Sequence, residues 1–110
     1  MIVDALQYCN WSEKIFRQMN AGGIAAVHVT VCYHEDFAET VENLIAWNQR
    51  FEIYRDLIVA GKSGADARLA YLEGRTAIYL GFQNCSPIED NIGLVAVSYT
   101  HLTLPTILRV

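Results

Sequence analysis

The strongest constraint on the fold is an alternation of short apolar segments with amphipathic segments that begin at helix-capping residues. The apolar segments have the composition of β-strands. They comprise residues 2–8, 24–32, 57–60 and 76–82. Alternation of this kind predicts parallel strands joined by helices that cross over the sheet. The sequence therefore indicates an α/β fold.

Each predicted helix starts with the spacing of a capping box, in which two side chains satisfy free backbone amides. The four pairs are Asn10 with Glu13, Asp36 with Glu39, Ser63 with Asp66, and Ser86 with Glu89. The second helix should extend to about Tyr54, because apolar residues recur at helical spacing up to that point. Pro87 suits the first position of the fourth helix.

Composition and charge narrow the class of protein. The 110 residues are 53% hydrophobic and 18% charged, with a formal net charge of -4. This indicates a soluble globular domain and lacks the basic surface that nucleic-acid binding requires. The longest apolar run, residues 24–32, is too short to span a bilayer. With an acidic start and three widely spaced cysteines, the chain is expected to be cytoplasmic.

The final segment departs from the alternation. Residues 97–106 read V-S-Y-T-H-L-T-L-P-T, which resembles the in-frame translation of a transposase adapter used to prepare short-read sequencing libraries. We therefore interpret residues 96–110 as a non-native extension of residues 1–95. The alternative interpretation is a genuine tail of β type.

Three segments of the chain resemble the membrane dipeptidase (renal dipeptidase) family of zinc peptidases, specifically a bacterial branch of it. They read I-V-D-A-L-Q-Y-C-N-W-S-E-K-I-F-R-Q-M, A-G-G-I-A-A-V-H-V-T-V-C-Y-H-E-D-F and G-R-T-A-I-Y-L-G-F-Q-N-C-S-P-I-E-D-N-I-G-L-V. The resemblance implies that residues 1–95 are the first units of a (β/α)8 TIM barrel of the metallo-dependent hydrolase type. It also implies hydrolysis of dipeptides or similar small amides by a metal-activated water. The full-length protein could be a homo-oligomer.

The metal-ligand positions that the resemblance implies are altered in this chain. The family has a His-x-Asp pair after the first strand and a glutamate after a later strand, whereas this chain has Leu6, Tyr8 and Gln83 there. Leucine cannot bind a metal, and a neutral amide poorly replaces a carboxylate. We therefore expect no metal in this fragment, which alone should be inactive. Zinc bound through downstream residues stays open for the full-length protein.

Four residues near predicted strand ends are candidates for contacts with a substrate or an ordered water: Tyr8, His34, Gln83 and Asn84. His34 could act as an acid, a base or a ligand, but with Glu35 it could also be part of a solvated helix start. Gln83 and Asn84 could orient a substrate or satisfy loop backbone groups. Since sites in parallel α/β proteins lie at the carboxyl ends of strands, we expect these residues at one edge.

Two functions are compatible with these observations. The first is a dipeptidase-like hydrolase, and the alternative is an inactive barrel that binds a small ligand without hydrolysis. Outside the four candidates, His28 is predicted to be a hydrogen-bonded core histidine. Cys9, Cys32 and Cys85 are predicted to be small buried hydrophobes rather than metal ligands.

Overall fold

The computed structural model describes residues 1–98, which form a four-stranded parallel sheet with helices packed against it. The elements are β1 (Ile2–Gln7), α1 (Glu13–Ala21), β2 (Ile24–Cys32), α2 (Phe37–Ile53), β3 (Ile58–Ala60), α3 (Gly64–Leu72), β4 (Thr76–Phe82) and α4 (Gly93–Ala96). The predicted α/β fold with parallel strands is confirmed. The predicted non-native extension lies almost entirely outside the described residues, so that interpretation stays a prediction.

Local capping explains where the two central helices begin. The Asp36 carboxylate accepts a hydrogen bond from Glu39 N at 2.9 Å, and the Glu39 carboxylate accepts one from Asp36 N at 3.3 Å. The predicted capping box is therefore present, and α2 ends at Ile53, close to the predicted end at Tyr54. In α3 the Asp66 carboxylate likewise accepts from Ser63 N at 3.0 Å.

Two predicted helix starts are wrong. The N-cap of α1 is Ser12 rather than Asn10, because the Ser12 hydroxyl accepts from Ile15 N at 3.5 Å. At the predicted start of the fourth helix the chain forms a 3-10 turn over Ser86–Ile88, and α4 begins only at Gly93. Glu89, which was predicted to close a capping box there, has a φ of 55° and instead accepts from Phe37 N at 3.2 Å. A contact between this loop and the start of α2 therefore takes the place of the local cap.

The strand order of the sheet is β1-β2-β4-β3. A barrel built from consecutive βα units would place its strands in chain order, whereas here β4 lies between β2 and the three-residue strand β3. The pairing of β2 with β4 runs from Ala26 opposite Ala77 to Cys32 opposite Phe82, so the two long strands end at the same edge. A closed barrel therefore stays a proposal, but the shared carboxyl edge is a property of the structure.

Alternate side chains of β2 and β4 point to opposite faces of the sheet. Both faces carry buried apolar side chains, and helices cover both. One face packs on α1 and α2 through an apolar cluster that includes Phe16, Met19, Val27, Val29, Val31, Leu44, Trp47, Ile58 and Ile78. The other face packs on α3 through the small buried residues Ala26, Ala70 and Ala77. The small side chains let α3 lie close to the sheet. No helix within residues 1–98 has the length and apolar character that crossing a membrane requires.

Gly61 follows β3 at a point where the backbone passes directly beside the ring of Tyr79. A Cβ at residue 61 would lie 2.6 Å from Tyr79 Cζ, which is far inside normal contact distance. The ring is not free to move away, because the Tyr79 hydroxyl donates to the carbonyl oxygen of Ser63. Close packing at this position therefore requires glycine.

We predict that Gly61→Ala lowers the free energy of unfolding by about 1–3 kcal/mol, the usual cost of overpacking. Urea denaturation monitored by circular dichroism measures this change. Gly64→Ala is the matched control, because a Cβ there would meet no atom within 4 Å. Equal stability of the two variants would show that the contact with Tyr79 imposes no constraint.

Candidate active site at the carboxyl edge

The loops that follow β2 and β4 are joined at the carboxyl edge of the sheet. Gln83 N donates to the carbonyl oxygen of Cys32 at 3.0 Å, which continues the strand pairing into the loops. The Thr30 hydroxyl donates to Gln83 Oε1 at 3.3 Å. The side-chain amide of Asn84 donates to the carbonyl oxygen of Tyr33. The structure therefore brings Gln83 and Asn84 to the loop that carries His34.

Tyr8 and His34 are linked through Tyr33. The ring centroids of Tyr8 and Tyr33 are 6.2 Å apart, and those of Tyr33 and His34 are 4.1 Å apart in an edge-to-face arrangement. Tyr8 and Tyr33 are 66% and 40% exposed, so their rings are accessible to a ligand. Sequence reasoning missed Tyr33, although its place directly after β2 and before His34 was a usable signal.

Glu35 holds the loop after β2 through its carboxylate. Its Oε2 atom accepts from Tyr33 N at 2.6 Å and from His34 N at 3.1 Å. The hydrogen bond from Tyr33 N is the main cause that lowers the pKa of Glu35, and that from His34 N acts in the same direction. The candidate His34 therefore lies beside a fixed negative charge, at an exposed position just before the start of α2.

This arrangement predicts a pH dependence of stability. Because the pKa of Glu35 is lower in the folded state than its ordinary value of 4.5, its stabilising contribution is complete above that value. The contribution is lost as the pH falls through the folded pKa. We expect Glu35→Gln to reduce the free energy of unfolding more at about pH 6 than at about pH 3.

Urea denaturation at the two pH values measures the difference between Glu35→Gln and the wild type. Glu52→Gln, which replaces an exposed glutamate on α2, controls for a loss of surface charge. A difference that does not change with pH would contradict the assigned role of the Glu35 carboxylate.

Ser86 and Cys32 form a second connection between the same loops. The Ser86 hydroxyl donates to the carbonyl oxygen of Glu35 at 2.7 Å and lies 3.2 Å from Cys32 Sγ. Burial raises the pKa of the Cys32 thiol, which disfavours the thiolate. Cys32 is buried as predicted, but Cys85 is exposed and Cys9 is half-buried, so the prediction of buried cysteines is wrong for Cys85.

The residues of this edge do not fit a two-zinc centre. Leu6 is 47% exposed and offers no ligand atom. The nearby Asp4 carboxylate accepts from Leu6 N at 3.1 Å and from the side-chain amide of Gln7. Within residues 1–98, no group of three or more His, Cys, Asp or Glu side chains could hold a metal ion.

His28 lies further down β2, away from this edge. It lines an open cavity of about 630 Å³ together with Asp4 and Tyr79. Its Nε2 atom is buried without a hydrogen-bond partner among the described residues. The prediction of a hydrogen-bonded core histidine is therefore wrong for this atom.

The similarity of the chain to known proteins bears on the kind of reaction that this edge could support. No family model matches the chain, and no curated protein matches its sequence. Among solved structures, it is similar to the crystal structure of an amidohydrolase from Pseudomonas aeruginosa, with 36% identity over 93% of this chain and a TM-score of 0.83. This similarity supports a relationship of the chain to a hydrolase superfamily. The chain spans 31% of the length of that amidohydrolase. The activity of the complete protein to which this chain belongs is therefore a proposal.

Proposed function

We propose that residues 1–95 belong to a hydrolase that cleaves dipeptides or similar small amide bonds. The observation that carries this proposal is the convergence of His34, Gln83 and Asn84 at the carboxyl edge of adjacent parallel strands. Parallel α/β proteins build their sites at that edge. The likeness to an amidohydrolase supports a hydrolytic reaction, and the resemblance to membrane dipeptidases supplies the substrate class.

The polar side chains suit distinct roles in such a reaction. Gln83 Oε1 accepts from Thr30, which orients the Gln83 amide group so that its nitrogen can donate to a substrate carbonyl oxygen. Asn84 is held at both ends of its amide, by the Tyr33 carbonyl oxygen and by Ser86 N at 2.7 Å, and so fixes the loop. His34 is exposed on the loop that the Asn84 amide contacts, and its imidazole can serve as a general acid or base.

The same proposal places residues 1–95 in a longer α/β barrel. The parallel pairing of β1, β2 and β4 supports it, as does the likeness to a longer amidohydrolase. Zinc in the complete protein would require ligands from outside residues 1–98, because Leu6, Tyr8 and Gln83 do not supply them.

A second function is favoured by one specific observation. Leu6 and Gln83 stand where the resemblance calls for a histidine and a carboxylate, and such replacements are compatible with a protein that binds a small amide without cleaving it. Binding and hydrolysis use the same edge in these two proposals. They are therefore distinguished by the reaction and not by the position of the site.

The test is hydrolysis of a panel of dipeptides and small amides by the complete protein. We expect His34→Gln to reduce kcat by about a hundredfold or more, the usual contribution of a general acid or base. His28→Gln is the matched control, because His28 lies on β2 away from the edge. Melting temperatures of both variants check that they fold.

Three outcomes separate the proposals. Hydrolysis that depends on His34 supports the enzyme, whereas hydrolysis that is equal in the two variants overturns the role of His34. Binding of dipeptides without turnover, together with the absence of bound zinc in metal analysis, overturns the hydrolase and favours the binding protein.

A further inference from the structure

The carboxyl edge exposes an aromatic cluster made of Tyr8, Tyr33 and His34. The contacts between neighbouring rings, at centroid distances of 6.2 and 4.1 Å, join them into one surface at the ends of β1 and β2. Single exposed aromatic residues are common and need no explanation, but a contiguous exposed cluster marks an interaction site. The faces of aromatic rings carry negative charge and attract cations.

The lysine, arginine and carboxylate charges carried by the loops of this edge all have one sign. The loops after β1, β2 and β4, residues 8–12, 33–36 and 83–92, contain no lysine or arginine. They contain four carboxylates, Glu35, Asp36, Glu89 and Asp90. Glu35 is fixed beside the cluster by hydrogen bonds from Tyr33 N and His34 N. This distribution attracts a cation to the edge and disfavours an anion.

A metal ion is a poor occupant of this surface. The Glu35 carboxylate is already engaged by two backbone amides, and no group of three or more donor side chains able to hold a metal occurs within the described part of the chain. Aromatic faces instead suit a large, weakly hydrated cation such as an alkylated ammonium group. The chemistry of the surface therefore favours an organic cation over a metal ion.

We propose that the aromatic cluster of Tyr8, Tyr33 and His34 binds the alkylammonium group of a small ligand, with the Glu35 carboxylate supplying the complementary charge. Applied to substrates, this proposal rests on the proposed function, and it restricts the substrates to amides that carry an alkylammonium group. As a statement about binding it stands without hydrolysis. The two parts can therefore fail separately.

The test is a nuclear magnetic resonance titration of the isotope-labelled protein with tetramethylammonium and with tert-butanol, an uncharged molecule of similar size and shape. We expect tetramethylammonium to shift the signals of Tyr8, Tyr33 and His34 and to bind at least about threefold more tightly than tert-butanol. Raising the ionic strength should weaken this binding. Equal binding of the two probes would overturn the proposal.

Variants of Tyr33 separate the aromatic face from its bulk. Tyr33→Leu should weaken tetramethylammonium binding about two- to fivefold, whereas Tyr33→Phe should retain it. Tyr71→Leu, which changes an exposed tyrosine on α3, should have no effect. If the spectrum of Tyr33→Leu shows misfolding, Tyr8→Leu replaces it, since Tyr8 is the more exposed ring.

Unchanged binding in a folded leucine variant would overturn the proposal. Cation binding without amide hydrolysis would overturn the proposed function alone, and hydrolysis without cation binding would overturn this inference alone.

Discussion

Replacing Phe16 by alanine is expected to cause the largest loss of stability of any single truncation in this domain. Phe16 is fully buried at the centre of the face covered by α1 and α2. Its ring centroid lies 5.3 Å from that of Tyr54, 5.9 Å from that of Trp11 and 6.2 Å from that of Trp47. Removing it leaves a cavity among rigid rings, which cannot collapse to fill the space.

The expected cost of Phe16→Ala is about 3–5 kcal/mol in the free energy of unfolding. Equilibrium urea denaturation measures this cost. Loss of the cooperative unfolding transition would also agree with the prediction, because it would mean that the variant no longer folds. Ile53→Ala is the matched control, because Ile53 is 70% exposed at the end of α2. That variant should lie within about 0.5 kcal/mol of the wild type. A similar change in both would contradict the assignment of the core.

Introducing a charge at Ala70 is expected to detach α3 from the sheet. Ala70 is fully buried against Ala26 and Ala77, on the face opposite to Phe16. A glutamate there has neither the space nor a partner for its charge, and burying an unpaired carboxylate costs several kcal/mol. Ala70→Glu should therefore destabilise the domain by at least about 3 kcal/mol.

Hydrogen exchange locates this effect, because amide protection should be lost first in α3. Ala65→Glu lies on the same helix at an exposed position and serves as the control. A carboxylate in the first turn of a helix is favourable, so this variant should be unchanged or slightly more stable. Retained protection of α3 in Ala70→Glu would contradict the packing of α3 on this face.

The sequence predicted those parts of the fold that depend on neighbouring residues. The strands Ile24–Cys32 and Thr76–Phe82 have long apolar runs, and the capping box of Asp36 satisfies its own helix. The start of α1 was wrong because Asn10 and Ser12 are both good capping residues, and local sequence does not choose between them. The helix expected at Ser86 was wrong because the Glu89 carboxylate accepts from the backbone at the start of α2, which is distant in sequence.

The strand order was beyond local reasoning for a related reason. The three-residue strand β3 pairs with the beginning of β4, and nothing in its own sequence selects that partner over β2. For the site, the rule that parallel strands share a carboxyl edge predicted that Gln83 and Asn84 lie against the loop that carries His34. The hydrogen bond from Asn84 to the Tyr33 carbonyl oxygen joins these loops. The roles of Tyr33 and Glu35 emerged only from contacts across the loops.

Binding of a small amide at the carboxyl edge, as we propose, should change the reactivity of Cys85. Cys85 is an exposed thiol that follows Gln83 and Asn84 in the chain. The measurement is the rate at which Cys85 in the complete protein is alkylated, with and without a saturating mixture of dipeptides. An introduced thiol at the exposed residue Ala21, at the end of α1, serves as the reference.

We predict that dipeptides slow the alkylation of Cys85 several-fold and leave the reference thiol in Ala21→Cys unaffected. Mass spectrometry of the modified peptides gives both rates in one experiment. Alkylation of Cys85 at the same rate with and without dipeptides, under conditions where the protein binds or hydrolyses them, would contradict the placement of the site at this edge.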